Sequence, residues 1–461
     1  MDKHKKINKT IFTLSIIEGI LIIFFLAYLL TYSIAVGGDA LYISPVLFIA
    51  LFFMVLIPIG LFLYYLAIKF RKRNLYKFEL EDVTIAKMSK KLDKKQKRKR
   101  FSDLLELDVN EPEVVKNITF DEVNSLEAFT NAFRNFCASR KKLYYSIDDI
   151  RSFIASLLTS KTMILQGMSG TGKTSIALAF EEFIGNPTTV IAVQPVWKER
   201  SDLLGYYNEF TKKFNETPLL KELYRSNFSD QIFIIVLDEV NIARIEYYFA
   251  EFLSLLEYPN IEQRTIEITN DSWPKDPKLL IDGRMQIKRN VYFLGTANND
   301  ESTFSISDKV YDRAMIMNLN KKAKEFESID QGPIKISNEN FENLAKLTLN
   351  TYSGYDKIDE MANKLNKILI EFFQITFGNR MMNQLKNYIP IYIACGGEEM
   401  EAFDDFVYKK ILRKLENKDA LKVSNAISPF IEELNKIFGT NEMKKSKKYL
   451  TRFEVKWCGN F

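Results

Sequence analysis

Residues 167–174 constrain the fold of this chain more than any other stretch. They have the sequence Gly-Met-Ser-Gly-Thr-Gly-Lys-Thr, which fits the pattern Gly-x-x-x-x-Gly-Lys-[Ser/Thr] at every fixed position. The apolar run Thr162–Leu165 before it predicts a buried parallel strand, and Ile176–Ile184 after it predicts a helix. Strand, glycine-rich turn and helix N-terminus therefore follow in the order that a phosphate-binding loop requires.

Each part of this loop has a predicted task on a nucleoside triphosphate. The glycines let backbone N–H groups approach the phosphates, and the helix N-terminus adds partial positive charge. Lys173 is predicted to reach the β and γ phosphates, and the Thr174 hydroxyl to bind Mg²⁺. The predicted nucleotide-binding residues of the loop are Gly167, Met168, Ser169, Gly170, Thr171, Gly172, Lys173, Thr174 and Ser175.

Two further strand ends carry polar residues suited to hydrolysis. The apolar run Gln231–Leu237 ends in Asp238 and Glu239. Asp238 is predicted to hold Mg²⁺, and Glu239 to activate the attacking water. The run 290–295 leads to Asn298, whose amide is predicted to position that water, although a turn asparagine would have the same sequence.

The N-terminal region contains two long apolar runs. Residues 11–36 contain one charged residue, Glu18, and residues 41–68 contain none. Each run is long enough to cross a bilayer as a helix, and Gly37-Gly38-Asp39 between them predicts a short turn. The pair predicts a transmembrane hairpin, with a cleaved signal peptide as the alternative for the first run.

Flanking charge predicts how this hairpin is oriented. Lysines precede the first run, and lysines and arginines follow the second, whereas Asp39 is the only charge between them. The positive-inside rule therefore places both termini and the phosphate loop in the cytoplasm of a multi-pass protein of the cell (inner) membrane.

The overall net charge of +5 is not a sign of nucleic-acid binding, because its basic excess is concentrated in residues 69–100. Basic residues next to a membrane span are attracted to anionic lipid headgroups. The run 87–100 is therefore predicted to contact lipid or to form a solvated linker. Direct nucleic-acid binding is the alternative, but no aromatic residue interrupts this run to stack on bases.

The rare residue types exclude several kinds of chemistry. Cys137, Cys395 and Cys458 are far apart in sequence, which excludes a zinc knuckle or a disulfide framework. His4 is the only histidine and lies in the N-terminal tail. A serine–histidine–aspartate triad and a histidine metal site in the folded body are therefore excluded.

The order of phosphate loop, Asp-Glu strand, Thr-x-Asn strand and arginine resembles AAA+ ATPases. The details are similar to the McrB and dynein-related branch, which includes MoxR-like proteins. The resemblance covers about residues 145–400 and excludes the N-terminal hairpin. The stretches that carry it are Leu204–Asn208, Asp238–Arg244, Phe252–Glu257, Gly295–Asn298 and Asp308–Ala314.

The resemblance implies a ring, usually a hexamer, with nucleotide at each subunit boundary. Arg313 is then expected to act as an arginine finger on the neighbour's nucleotide, with a surface salt bridge to Asp308 or Asp312 as the alternative. Arg380 resembles a sensor-2 residue and is expected to contact nucleotide from a C-terminal lid, unless it is an ordinary exposed arginine.

The same resemblance bears on the nucleotide and on an insertion. McrB proteins that use GTP have a longer Thr-x-Asn-x-x-Asp stretch, and here Asp300 comes one residue earlier, which favours ATP. Residues 265–288 are similar to the β-hairpin insertion of this branch. Its Trp273, together with Trp197 and Tyr206-Tyr207, is predicted either to face a central pore or to pack in the core.

Together these patterns predict an α/β P-loop domain of the AAA+ type, with a parallel sheet and a C-terminal helical lid, preceded by two transmembrane helices. The predicted divisions are a transmembrane hairpin (1–70), a basic juxtamembrane linker (71–118), the AAA+ domain with its N-terminal helices (119–330) and the lid with the C-terminal region (331–461). Within them, 103–113 is predicted to be linker, and helices are predicted from Thr119 and near 147–158.

The predicted function is Mg²⁺-dependent ATP hydrolysis that drives remodelling or activation of a protein partner. The McrB likeness suggests a nuclease of a defence system as that partner. Three alternatives remain: a membrane-tethered nucleotide switch with weak hydrolysis, a MoxR-like chaperone, and an McrB-like GTP-dependent DNA restriction motor.

Overall fold

The computed structural model describes residues 99–110, 124–186, 189–298, 303–319 and 323–458, and a few helical positions between 19 and 66. Met1–Arg98 and Lys99–Phe461 are two separate compact units. Apart from those few positions, the predicted spans 11–36 and 41–68 lie outside the described residues, as does the basic stretch 71–98. In the described parts of the chain, no helix has both the length and the apolar character needed to cross a bilayer.

A parallel sheet of five strands forms the centre of the second unit. The strands of the described region are β1 (Thr162–Gly167), β2 (Thr189–Ala192), β3 (Gly205–Asn208), β4 (Lys213–Glu216), β5 (Phe233–Asp238), β6 (Thr265–Glu267), β7 (Arg284–Gln286), β8 (Val291–Asn298) and β9 (Met315–Asn318). The central sheet has the order β2-β5-β8-β1-β9. Strands β1, β5 and β8 are almost wholly buried, as their apolar sequences predict for a sheet covered on both faces.

Helices cover this sheet and continue beyond it as a C-terminal helical region. Those before β9 are α1 (Asp103–Asn110), α2 (Leu126–Lys141), α3 (Ile147–Thr159), α4 (Lys173–Phe183), α5 (Arg200–Leu204), α6 (Pro218–Arg225), α7 (Ile245–Tyr248), α8 (Ala250–Leu255) and α9 (Asp308–Tyr311). The helical region contains α10 (Asn338–Thr351), α11 (Tyr355–Phe373), α12 (Asn379–Ala394), α13 (Glu399–Phe406), α14 (Ala420–Phe438) and α15 (Lys444–Cys458). Between α13 and α14 lie a π-helical turn, Val407–Ile411, and a 3₁₀ helix, Leu412–Asn417.

Aromatic clusters on both faces hold the sheet. On one face Phe133, Phe153 and Phe180 have ring centroids 5.2–5.7 Å apart. On the other, the rings of Phe249 and Phe293 are 5.0 Å apart. Each such pair adds about 0.5–1.5 kcal/mol beyond the burial of its area. Because Phe180 belongs to α4, the helix that begins at the phosphate loop is fixed firmly against the sheet.

The same helix buries a carboxyl group, Glu181, with no hydrogen-bond partner for either oxygen among the described residues. Burial, with a smaller contribution from Glu222, raises the pKa of Glu181 to about 9. The folded state therefore holds a proton that the unfolded chain releases above its ordinary pKa of 4.5. Stability is expected to fall as the pH rises from that value towards 9.

Replacing Glu181 by glutamine is expected to raise the free energy of unfolding by about 1–3 kcal/mol at pH 8, because the amide cannot ionise. The substitution should also make the free energy of unfolding less dependent on pH. Urea denaturation of the full chain at pH 5.5 and 8 measures both effects, with the exposed neighbour Glu182 changed to glutamine as the control. A variant less stable than the parent at pH 8 would contradict this account.

The stretch predicted as linker is partly helical. Residues 103–110 form α1, because the Glu216 carboxylate accepts hydrogen bonds from the backbone N–H groups of Ser102, Asp103 and Leu104 at 2.8–3.1 Å. Such a cap from more than 100 residues away leaves no trace in the local sequence. The linker prediction is therefore wrong for this helix.

Arg100, the last residue of the basic run, is neither solvated nor free to contact lipid. Its side chain is 2% exposed and forms ion pairs with Asp271 at 2.7 Å and Asp276 at 2.6 Å. The folded second unit therefore begins at about residue 99, before the predicted boundary at 119.

Both helices predicted before the phosphate loop are present, but only one begins where it was predicted to begin. The helix predicted near 147–158 is confirmed as α3. The helix predicted from Thr119 begins at Leu126 as α2, capped by the Ser125 hydroxyl, and residues 111–123 lie outside the described residues.

Two antiparallel hairpins extend from the domain. The predicted hairpin at 265–288 is confirmed as β6 paired with β7, whereas the β3–β4 hairpin was not predicted. Trp273 packs against Tyr207 with ring centroids 5.8 Å apart, and Trp197 lies 5.6 Å from Tyr248. These contacts favour the packing interpretation of the two tryptophans.

Candidate nucleotide-binding site

The phosphate loop runs from the end of β1 to the start of α4. A Cβ at Gly167 would lie 2.3 Å from the Leu319 carbonyl oxygen, so only glycine fits there. Gly172 has φ +91°, a left-handed conformation that strongly favours glycine, and it directly precedes the first helical residue. The loop sequence is therefore dictated by the close approach of backbone to backbone and by a left-handed turn.

Lys173 is the buried cation of this loop. Its ammonium donates hydrogen bonds to the carbonyl oxygens of Gly167 at 3.1 Å and Met168 at 2.7 Å, and the residue is 6% exposed. These contacts hold the charge within the turn of the loop, next to the backbone N–H groups at the start of α4. A cation and a helix N-terminus at one place suit an anionic phosphate group.

Two oxygen-bearing side chains form a candidate metal site beside the loop. The Thr174 hydroxyl donates to the Asp238 carboxylate at 3.1 Å. A hydroxyl and a carboxylate are hard oxygen ligands, which Mg²⁺ uses together with phosphate oxygens and water. No group of three or more His, Cys, Asp and Glu side chains placed to hold a metal occurs in the described part of the chain. The pair therefore fits a Mg²⁺ ion that arrives with a nucleotide.

Thr296 orients the two acidic residues at the end of β5, Asp238 and Glu239. Its hydroxyl donates to the same Asp238 oxygen at 2.6 Å and accepts from the backbone N–H of Glu239 at 2.9 Å. Glu239 has φ +58°, a left-handed conformation that costs a non-glycine residue about 1–2 kcal/mol. Thr296 belongs to the Thr-x-Asn motif, but its role depends on contacts between strands β5 and β8, which no local pattern shows.

Asn298 lies beside Glu239 at the end of β8. Its amide donates to a Glu239 carboxylate oxygen at 3.4 Å, a long hydrogen bond. Asn241 fixes the backbone of Asn298, donating to its carbonyl oxygen at 2.7 Å and accepting from its N–H at 3.2 Å. The asparagine is thus part of the site edge, as predicted, and Asn241 is a supporting residue that sequence reasoning missed.

A cavity of about 600 Å³ opens next to these residues. Gln166, Asn298 and Asn318 line it from the sheet, and four cations line it from the helical region, alongside the carboxylates of Asp149 and Glu416. The four cations are Arg413, Lys445, Lys448 and Arg452. A mainly cationic wall facing the strand ends suits a polyanionic ligand such as a nucleoside triphosphate.

Arg413 is the most deeply buried arginine of this wall. The residue is 5% exposed, and its guanidinium donates to Asn318 at the end of β9 and to Glu416 at 2.6 Å. Its Nε has no hydrogen-bond partner among the described residues. The guanidinium also lies 5.5 Å from the Tyr449 ring. This arginine was not predicted, because no local motif marks a residue that reaches the strand ends from a distant helix.

Arg313 lies near the amino ends of β1 and β9, whereas the phosphate loop lies at the carboxyl end of β1. Its carbonyl oxygen accepts a hydrogen bond from Ser160, just before β1, so the length of that strand, about 17 Å, separates it from the loop. Its guanidinium donates to Ser254 and lies 3.8 Å from the Glu257 carboxylate. The residues 312–314, called the finger loop below, thus face away from the nucleotide site of their own chain.

The salt-bridge alternative for Arg313 named the wrong partners. Asp308 accepts instead from the Asn417 amide at 2.7 Å, and Asp312 pairs with Lys414 at 2.6 Å. The acid nearest the Arg313 guanidinium is Glu257, which is distant from it in sequence.

Arg380 is not brought to the phosphate loop of its own chain. It lies at the start of α12, where its Nε pairs with Glu257 at 2.7 Å, so it shares that carboxylate with Arg313. The structure therefore places Arg380 beside Arg313, and contact between Arg380 and nucleotide from the lid stays a prediction. Burial raises the pKa of Glu257 although both arginines oppose this shift.

The part of the chain that forms this site matches a known protein family. Residues 162–314 match the sequence model of the AAA domain of the dynein-related subfamily. The chain therefore contains an AAA+ ATPase domain. The match begins with β1 and ends after Arg313, so it covers the phosphate loop, both acids, Asn298 and the finger loop. Residues 329–456 match the model of DUF8727, a domain of unknown function.

Two solved structures are similar to part of this chain. One is a Cytophaga hutchinsonii protein assigned as an ATPase, 14% identical, with a TM-score of 0.45 over 67% of this chain and 95% of that one. The other is a full-length MCM homologue from Methanopyrus kandleri, 10% identical, with a TM-score of 0.36 over 62% of this chain and 61% of that one. A comparison with curated proteins found no match.

The AAA+ resemblance and the parallel-sheet α/β fold with a C-terminal helical region are thus confirmed. Within the AAA+ domain, the structure brings together Lys173, Thr174, Asp238, Glu239 and Asn298. The two predicted site arginines, Arg313 and Arg380, lie together away from these residues, where both approach Glu257.

Proposed function

We propose that this chain is a membrane-anchored AAA+ ATPase that hydrolyses ATP in a ring and uses the cycle to remodel or activate a protein partner. The observation that best supports hydrolysis is that two candidate Mg²⁺ ligands, a glutamate and an asparagine amide lie together at the carboxyl ends of the strands. Thr174 contacts Asp238, and Asn298 contacts the adjacent Glu239.

The side chains of this edge have separate proposed roles. Lys173 and the backbone N–H groups of the loop bind the β and γ phosphates. Thr174 and Asp238 hold Mg²⁺, which when bound neutralises charge on the phosphate oxygens. Glu239 accepts a proton from the attacking water, while Asn298 holds the glutamate and the water in place.

A neighbouring subunit completes the proposed site. Arg313 lies about one strand length from its own loop, too far for its side chain to reach the phosphate bound there. Its always-charged guanidinium suits the developing charge on a transferring phosphoryl group in the next subunit. Arg380 lies on the same face and is proposed to contact that neighbouring nucleotide as well. A ring, with a hexamer as the expected form, provides this arrangement.

ATP is the proposed substrate, and GTP is the less favoured one. The reason is the spacing of Asp300 relative to GTP-using McrB proteins, and this residue lies outside the described part of the chain. Nucleotide competition with Mg²⁺ present would decide between the two.

The apolar runs 11–36 and 41–68 support a hairpin anchor in the cell membrane, with both termini in the cytoplasm. The basic residues that follow support contact with anionic lipids. Resistance of the full chain to extraction from membranes by alkaline carbonate is the expected result. Release into the soluble fraction would contradict anchoring.

The protein partner is proposed from the McrB likeness alone, as a nuclease of a defence system. A nucleotide switch with weak hydrolysis would assemble with ATP but barely turn it over. A GTP-dependent DNA motor would be stimulated by DNA. Measuring ATP and GTP turnover by the purified full chain, with and without DNA, separates these functions, and the proposal predicts DNA-independent ATP hydrolysis that rises with subunit concentration.

Arg413 is expected to bind nucleotide from the helical region of its own chain. Changing Arg413 to methionine should weaken ATP binding about 10–100-fold, because a charge-assisted hydrogen bond contributes roughly 1.5–3 kcal/mol. Titration with a fluorescent ATP analogue measures this, and Arg140→Met, at an exposed surface pair, is the control. Unchanged affinity in a folded Arg413 variant would contradict the assignment.

A further inference from the structure

We propose that Lys410 is a positioning residue for Arg313. From the helical region, it holds the finger loop so that the Arg313 side chain can reach the nucleotide of a neighbouring subunit. This inference rests on the proposed function, because it assumes that Arg313 acts on another chain. It concerns a lysine that makes no contact with the phosphate loop among the contacts described.

Lys410 grips the backbone on both sides of Arg313. Its ammonium donates to the carbonyl oxygens of Tyr311 and Ala314, the second at 2.6 Å. These two contacts bracket Asp312 and Arg313 and so fix the direction in which the Arg313 side chain leaves the loop. Since the bonds go to backbone atoms, they set the path of the chain itself.

Two neighbouring side chains strengthen this hold. Lys414 pairs with Asp312 at 2.6 Å, and the Gln384 amide lies 3.3 Å from the carbonyl oxygens of both Asp312 and Arg313. Every residue from 311 to 314 is therefore contacted by a side chain of the helical region. The finger loop cannot shift without disturbing that region.

The burial of Lys410 argues against a purely structural role. The residue is 0% exposed, and burial lowers its pKa to about 7. Lysines are almost never fully buried unless paired with an acid. This one is bonded to carbonyl oxygens, and the carboxylates of Asp312 and Glu257 favour its charged form. An apolar residue would fill the same space without that desolvation cost.

The backbone that carries Lys410 is also unusual. It belongs to the π-helical turn Val407–Ile411, which passes directly into a 3₁₀ helix containing Arg413. Single π-helical turns occur frequently at functional sites. One short segment therefore contacts the finger loop through Lys410 and lines the cavity at the strand ends through Arg413. This links the position of the finger loop to the region that lines the cavity.

A donor assay tests this proposal in isolation. The acceptor chain is Arg313→Ala, which keeps an intact phosphate loop but lacks the finger. The donor chain is Lys173→Ala, which cannot hydrolyse ATP but carries a normal finger. Under the proposed function, mixing the two restores ATP turnover. The tested donor carries Lys410→Met in addition, which removes the hydrogen-bond donor and keeps the length of the side chain.

We expect the Lys173→Ala/Lys410→Met donor to restore at least tenfold less turnover than Lys173→Ala, although it joins the acceptor equally well in a pull-down. Lys173→Ala/Lys409→Met is the matched control, because Lys409 is buried in the same turn but bonds Asp405 and Ser152 instead of the finger loop. This control donor is expected to work within about twofold of the reference, compared at equal amounts of folded chain.

Each outcome has one meaning. Equal restoration by the Lys410→Met donor would overturn the inference. Failure of the reference pair itself would overturn the proposed function instead. If the Lys410→Met donor does not fold, Lys173→Ala/Lys414→Met replaces it, since the Lys414–Asp312 pair is less buried; a two- to fivefold loss of restoration supports the inference, and no loss overturns it.

Discussion

Replacing Glu239 by glutamine is expected to lower the turnover number for ATP by about 100–1000-fold while ATP still binds. The amide keeps the shape of the side chain and its contact with Asn298 but cannot accept a proton from water. A positioned general base contributes about 10²–10⁴-fold to a rate, so its loss alone accounts for the effect. The variant should also remain assembled with bound ATP, because the step that ends that state is blocked.

Steady-state ATP hydrolysis and nucleotide retention after gel filtration measure these two effects. The matched control is Glu262→Gln, at an exposed glutamate in the short 3₁₀ helix Ile261–Gln263 between α8 and β6, which should hydrolyse ATP like the parent. If Glu239→Gln turned over ATP at the parental rate, the assignment of the base would be wrong. The same loss of rate together with a tenfold loss of ATP affinity would instead indicate a role in binding.

Replacing Arg313 by alanine is expected to lower turnover about 1000-fold with little change in ATP affinity. An arginine finger contributes about 10³–10⁵-fold by stabilising charge on the transferring phosphoryl group. Arg313 lies at the far sheet edge from its own loop, so its removal leaves the local binding contacts intact. Arg313→Lys should recover only a small part of the rate, because an ammonium cannot fork onto two phosphate oxygens.

Hydrolysis assays and fluorescent ATP titrations of the same preparations separate these effects. Arg140→Ala, in an exposed surface ion pair, is the control and should behave like the parent. An Arg313→Ala chain that loses affinity and rate in equal proportion would show that the arginine binds ATP in its own subunit. That result would be inconsistent with the distance between the finger loop and the phosphate loop.

The sequence predicted the features that depend on local pattern. The runs at 162–165, 231–237 and 290–295 became adjacent buried strands, and the loop between β1 and α4 begins and ends where its glycines require. Parallel strands buried on both faces have continuous apolar sequences, and a glycine loop has fixed spacing. These signals need no knowledge of the rest of the fold.

Other features depended on contacts between distant parts of the chain. Glu216 caps α1, and Arg100 forms ion pairs with two aspartates. Arg413 reaches the end of β9 from the helical region. Arg380 has the sequence surroundings of a sensor residue but lies beside Arg313, because Gln384 in the second turn of α12 contacts the finger loop and Arg380 pairs with Glu257. The packing of the helical region decides where these arginines lie, and no local motif shows that packing.

In the proposed ring, one chain supplies the phosphate loop and its neighbour supplies the finger. The most direct measurement is ATP turnover in a titration of Lys173→Ala against Arg313→Ala, two chains that should each be inactive alone. We predict that ATP turnover appears on mixing and is greatest when the two chains are present in near equal amounts. Silence at every ratio, with both chains folded and assembled together, would contradict it.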